Sequence, residues 1–178
     1  MPNIKFRDAT LHDSEKVAAL INSAYRGDSS KAGWTTEADM MDGQRIDKEG
    51  VEELIKKSFN KIIMATDEQE NVLGCIHAVK EDDDSLYFGL FAVNPKLQSL
   101  GVGKSLLKEI ETLAHRWQLK NIRLTVIQFR SELISFYERC GFNLTGKVEE
   151  FPALEFSKIE GIRLLEMTKT LSRNYTTE

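Results

Sequence analysis

The chain has 178 residues, 41% of them hydrophobic and 29% charged, with a net charge of −4. That length and balance suit one globular domain with a proper core, residues 1–178, and no apolar run approaches the roughly 20 residues that span a bilayer. Net acidity without a concentrated Lys/Arg run argues against nucleic acid as the main partner and suits a cationic one. Residues 1–6 lack the apolar region of a secretory signal, and Cys75 and Cys140 sit in apolar patterns without metal-ligand spacing. The expectation is a cytoplasmic protein with reduced thiols, no metal and no membrane contact.

Residues 4–7 predict a first strand. Asp13 is a candidate cap for a helix with the apolar stripe Val17, Leu20, Ile21 and Ala24, ending near Gly27. A loop of small residues follows, flanked by Tyr25 and Arg26 and carrying Trp34 and Glu37; then Val51, Leu54, Ile55 and Phe59 mark a second amphipathic helix. Residues 62–66 and 72–80 read as a hairpin joined by Asp67-Glu68-Gln69-Glu70-Asn71. The acidic run Glu81-Asp82-Asp83-Asp84 predicts a solvated turn. Residues 86–93 are apolar on both faces, as in a central strand covered from both sides. A helix over 101–117 places Val102, Leu106, Ile110, Leu113 and Trp117 on one face; a strand over 122–127, a helix over 132–140 and two closing strands complete the order βααβββαβαββ. This alternation restricts the fold to α/β or α+β.

The most informative stretch joins the central strand to the long helix: Val93-Asn94-Pro95-Lys96-Leu97-Gln98-Ser99-Leu100-Gly101-Val102-Gly103-Lys104-Ser105. Loop amides and the first amides of the helix converge there, and the helix dipole adds roughly half a positive charge, so the segment suits a phosphate or pyrophosphate. Gly103-Lys104-Ser105 imitates the end of a nucleotide P-loop, but that motif needs glycine where Gln98 stands. The dinucleotide fingerprint needs a third glycine where Leu106 stands.

What the segment matches is Gln/Arg-x-x-Gly-x-Gly/Ala, preceded by Val-x-Pro and followed by a leucine pair. It resembles the GNAT family, the GCN5-related N-acetyltransferases, and Phe136-Tyr137-Glu138-Arg139-Cys140-Gly141-Phe142 resembles the family's second signature, Leu-Tyr-Glu-Lys-x-Gly-Phe. The resemblance implies a mixed, mostly antiparallel β-sheet of about seven strands, splayed between strands 4 and 5 and flanked by about four helices. It further implies an enzyme that uses acetyl-CoA, without a metal, to acetylate the primary amine of a small metabolite. The alternatives are acetylation of a protein amino terminus or lysine, or a catalytically silent acyl-CoA-binding regulatory domain. Homodimers are common in the family.

By the same resemblance, Gln98, Ser99, Leu100, Gly101, Val102, Gly103, Lys104 and Ser105 hold the pyrophosphate. The backbone of Leu90, Phe91, Ala92 and Val93 pairs with pantetheine as a strand would, and an amide near Phe91 or Val93 polarises the thioester carbonyl. Tyr137 matches the tyrosine beside the coenzyme sulfur, and its phenol, protonated at neutral pH, is the candidate acid. Arg130 departs from the family, which often has a coenzyme-contacting asparagine there; it joins the coenzyme set as a cation for which a phosphate, the acceptor and plain solvent all stay open as partners. Leu133 stands where alanine is frequent. Tyr25, Arg26, Trp34 and Glu37 fall in the region that frames the acceptor, where aromatic walls and a fixed positive charge suit a planar or carboxylate-bearing molecule; the alternative is a self-packed loop. No general base identifies itself: Glu37, Glu81 and Tyr87 are candidates by region, His77 and His115 read as structural, and His12 as a surface residue.

Overall fold

A computed structural model describes residues 3–33, 36–98 and 100–172. In chain order it contains β1 (Lys5–Asp8), α1 (Ser14–Tyr25), α2 (Gly27–Ser30), α3 (Lys48–Lys56), β2 (Asn60–Thr66), β3 (Val72–Lys80), β4 (Ser85–Val93), α4 (Val102–Arg116), β5 (Asn121–Ile127), α5 (Ser131–Arg139), β6 (Asn143–Glu150) and β7 (Arg163–Thr170). The strands form one seven-stranded sheet, ordered β1-β2-β3-β4-β5-β7-β6. Every pair is antiparallel except β4 with β5. The mixed fold is the expected one, with five α-helices among the described residues rather than about four because Gly27 opens a one-turn helix of its own.

Two cores lie on opposite faces of the sheet. In β2, Ile63 and Ala65 face the α4 side, with Leu106, Ile110 and Leu113. Ile62 and Met64 face the other side, with Val17 and Ile21 of α1 and Val51 of α3. Alternating strand geometry sends neighbouring residues to opposite faces, which explains why residues 62–65 of β2 are apolar without interruption.

Local chemistry departs from expectation at two places. Asp13 precedes α1 but does not cap it with its side chain; Arg7 grips its carboxylate at 2.8 and 2.9 Å, and the ion pair outcompetes the cap. Phe59 lies beyond α3, 61% exposed and edge-on to Trp117. The acidic run is the expected solvated turn, exposed from 81 to 84; there Glu81 is bound by Arg123, while Lys80 and Lys120 meet Asp83 and Asp84. Arg123 also reaches Glu166 at 2.9 Å and Glu149 at 3.2 Å, and lies 4.8 Å from the centre of the Tyr87 ring.

That cluster clasps β4 and β5 where they pair, over only Ser85–Tyr87 and Asn121–Arg123. Past this point the strands diverge and the far half of β4 loses its neighbour. β4 also carries a bulge: Cys75 faces Ala92 and His77 faces Gly89, so two residues, Leu90 and Phe91, stand opposite Ile76. Leu90 adopts φ +46 there. The inserted residue shifts the alternation by one. Leu86 and Phe88 face α4 before the bulge and Phe91 and Val93 after it, while Leu90 and Ala92 turn to α1.

Candidate active site

Two cavities meet at the divergence of β4 and β5. The first, about 420 Å³, lies between the glycine loop and α5. Gly101 precedes α4 with φ +88, a conformation that disfavours any side chain, and a Cβ there would meet nothing within 4 Å. The first helical hydrogen bond runs from Ser105 N to Gly101 O, so the amides of Val102, Gly103 and Lys104 lie ahead of the ladder. A Cβ on Gly103 would stand 3.3 Å from the Phe91 ring. Lys104 and Arg139 both line this cavity, and neither forms a salt bridge among the described residues. Open helix amides beside two cations and a bare Gly101 fit a polyanionic ligand.

Tyr137 lies in the wall common to both cavities, 6% exposed. Its ring sits among Phe88, Phe91, Phe136 and Phe142, with centroids 5.4–6.4 Å away. Burial, with a smaller contribution from Tyr25, raises its phenol well above the ordinary value, so it is protonated throughout the neutral range. Its hydroxyl has no hydrogen-bond partner among the described residues.

The second cavity, about 320 Å³, opens between the unpaired end of β4 and residues 124–127 of β5. On its wall the Arg26 guanidinium and the Glu37 carboxylate form a largely buried ion pair. Arg130, 4% exposed, donates to Thr36 O at 2.7 Å and to Glu132 Oε1 at 2.9 Å. Tyr87 and Thr125 share a hydroxyl contact of 3.1 Å. Two loops close the outer side: Asp42 N donates to Phe156 O and Lys158 N to Met40 O, both at 2.8 Å, around a bridge between Met41 and Ser157.

Residues 34–171 match the family model of the acetyltransferase (GNAT) domain. The chain belongs to the GNAT family. It is therefore an acetyltransferase, with acetyl coenzyme A as donor. Among solved structures, a GNAT acetyltransferase from Staphylococcus aureus Mu50 is 18% identical, with TM-score 0.69 and coverage of 95% of this chain and 99% of that one. Nourseothricin acetyltransferase is 17% identical, with TM-score 0.68 and coverage of 95% and 99%. A Bacillus anthracis protein assigned as a streptothricin acetyltransferase, solved with acetyl coenzyme A, is 22% identical over 67% of each chain, with TM-score 0.58. No curated protein matches the sequence.

Set against the GNAT-derived expectations, the cavities sort the residues. Phe91, Val93, Gln98, Gly101, Gly103 and Lys104 line the first cavity, where Gln98 donates to Val93 O at 3.3 Å. Leu90 and Arg130 line the second instead. Ala92 and Val102 are core residues, Leu100 is exposed away from both cavities, and the Ser105 hydroxyl is spent on Gly101 O at 3.1 Å. Ser99 and Trp34 lie outside the described residues. Tyr25, Arg26 and Glu37 reach the second cavity, and Tyr25 the first as well, but Glu37 neutralises the charge expected of Arg26.

Glu81 is bound to Arg123 at the clasped end of the strands and lines neither cavity. His77 is structural: Nε2 is 2.8 Å from Asn60 Oδ1, and burial, aided by Lys57, pushes its pKa down to about 4. His12 and His115 are exposed. Leu133, singled out in the sequence, lines the first cavity, and sequence reasoning gave no cavity role to Glu132, Phe136 and Arg139, which line it too. Glu132, Phe136 and Arg139 follow one another along α5 at steps of four and three, which puts them on one face of the helix, a signal the sequence did contain. Among the described residues no cluster of metal-binding groups exists, and no helix is long and apolar enough to cross a membrane.

Proposed function

We propose that this GNAT enzyme acetylates the primary amine of a small metabolite, with the donor in the first cavity and the acceptor in the second. The observation that carries this reading is the pair of loops hydrogen-bonded across the outer side of the second cavity, which span the groove an extended polypeptide would need. A small molecule fits what is left.

The open amides of α4 with Gln98, Lys104 and Arg139 hold the donor's phosphates. The edge of β4 from Phe91 to Val93, left unpaired by β5, offers backbone partners to its amide chain. When bound, acetyl coenzyme A supplies an acetyl thioester: a nitrogen–carbon bond forms as the carbon–sulfur bond breaks, the amine loses a proton and the sulfur gains one, giving an acetamide and a free thiol. Tyr137 holds a proton at Oη for the sulfur and regains it from solvent. The Phe91 amide, at the bulge, would polarise the thioester carbonyl. Glu37, the buried carboxylate of the second cavity, orients the acceptor amine and passes its surplus proton outward. Holding amine and thioester together contributes the remaining acceleration.

Thiol release from acetyl coenzyme A, measured with small amines and amino acids against peptides bearing free amino termini or lysines, tests the reading. Small amines should exceed peptides at least tenfold in kcat/KM. The reverse order would mean a protein acetyltransferase, and background release with every acceptor despite donor binding would mean a silent binding domain.

A further inference from the structure

We propose that Tyr25 is a positioning residue for acetyl transfer: its hydroxyl holds the Phe91 carbonyl at the β4 bulge and so sets the peptide planes that face the thioester. This rests on the reading above, in which the Phe91 amide polarises the thioester carbonyl.

At the bulge, where the β3–β4 register shifts, two β4 carbonyls take side-chain donors. Tyr25 Oη, at the end of α1, donates to Phe91 O. Cys75 Sγ, from β3, lies 3.8 Å from Leu90 O and donates to it. A peptide group is planar, and its N–H points opposite to its C=O. Holding Leu90 O therefore orients the Phe91 N–H, and holding Phe91 O orients the next plane, so Phe91 is fixed from both sides. Without these donors, the strain of Leu90 at φ +46 has little to oppose it.

The position of Tyr25 matches such a role. Tyr25 and Phe91 belong, with Leu133 and Tyr137, to the residues that line both cavities. Burial raises the Tyr25 phenol far above its ordinary value, Glu37 adding to the effect, so it remains a donor. That proton is already committed to Phe91 O, whereas the Tyr137 hydroxyl is uncommitted. The two tyrosines thus divide the work, one holding the backbone and the other the transferable proton.

The test is infrared spectroscopy of acetyl coenzyme A, carbon-13 labelled at the thioester carbonyl and bound without acceptor, in the wild type and in Tyr25→Phe. The bound carbonyl band should lie at lower wavenumber than the free one in the wild type and recover toward the free value in Tyr25→Phe. The variant's kcat should fall about tenfold, equivalent to one lost hydrogen bond, with donor affinity by calorimetry within about threefold. Cys75→Ala should move the band the same way by a smaller amount, and it reads the same geometry should Tyr25→Phe fail to fold. An identical band in wild type and variants, with or without lost turnover, would reduce Tyr25 to packing and overturn the proposal. No downshift in the wild type would overturn the amide-polarisation reading itself, and with it this proposal.

Discussion

Tyr137 and Tyr25 carry the same hydroxyl on the same cavity wall, and only their partners separate them. The Tyr137 phenol, raised by burial, keeps its proton well into the alkaline range. Tyr137→Phe should lower kcat about 10- to 100-fold and leave the KM for acetyl coenzyme A within about twofold, because the ring and its aromatic neighbours stay in place. In steady-state thiol-release assays the wild-type rate should also keep rising to about pH 9.5 as the acceptor amine deprotonates, since this acid does not ionise there. An early alkaline decline in wild type that disappears in the variant would contradict the assignment. Tyr137 was legible in the sequence because it belongs to a contiguous signature. The fate of Arg26 was not: its charge could be read, but its pairing with Glu37, eleven residues on, depends on how the loop folds back.

The glycine loop and the β4 bulge show the same division among elements. Gly101 could be read as a glycine at a loop-to-helix junction, and the structure gives it the left-handed φ that such junctions need. Because a Cβ there would meet nothing within 4 Å, Gly101→Ala should cost only backbone strain, about 1–2 kcal/mol. Thermal unfolding should therefore fall by a few degrees. Donor affinity should fall as well, because the added methyl occupies the open side of the loop; unchanged affinity by calorimetry would remove Gly101 from the phosphate site. The bulge, by contrast, left no mark on the apolar pattern of residues 86–93. With helices on both faces, an alternation shifted by one residue is still apolar everywhere.

Across the whole molecule the sheet is clasped at one end by Arg123 and open at the other, and its buried polar groups set the response to acid. His77 is neutral in the folded protein, with a pKa of about 4 against about 6.5 when exposed. Below pH 6.5 the unfolded chain therefore binds a proton that the folded one refuses, so stability falls as pH drops from 6.5 to 4, by on the order of 2–3 kcal/mol. Arg7 holds the Asp13 carboxyl far below its ordinary range, so that contribution is lost only at still lower pH. Melting temperatures at pH 7.5 and 5.0 should differ less in His77→Gln than in the wild type; an equal difference would place the acid sensitivity elsewhere.

By itself the sequence determined the order of elements, the central strand, the glycine junction and the two signatures that point to an acetyltransferase. Each is written in residues close along the chain, where periodicity, capping and backbone preference act. The tertiary structure decided which charges neutralise one another, that Arg130 serves the second cavity, that Arg139 joins Lys104 on the first, and that Tyr25 meets Phe91 across 66 residues. Those pairings are each worth about 1 kcal/mol and are selected by geometry that packing of the whole sheet imposes, so no spacing in the sequence announces them.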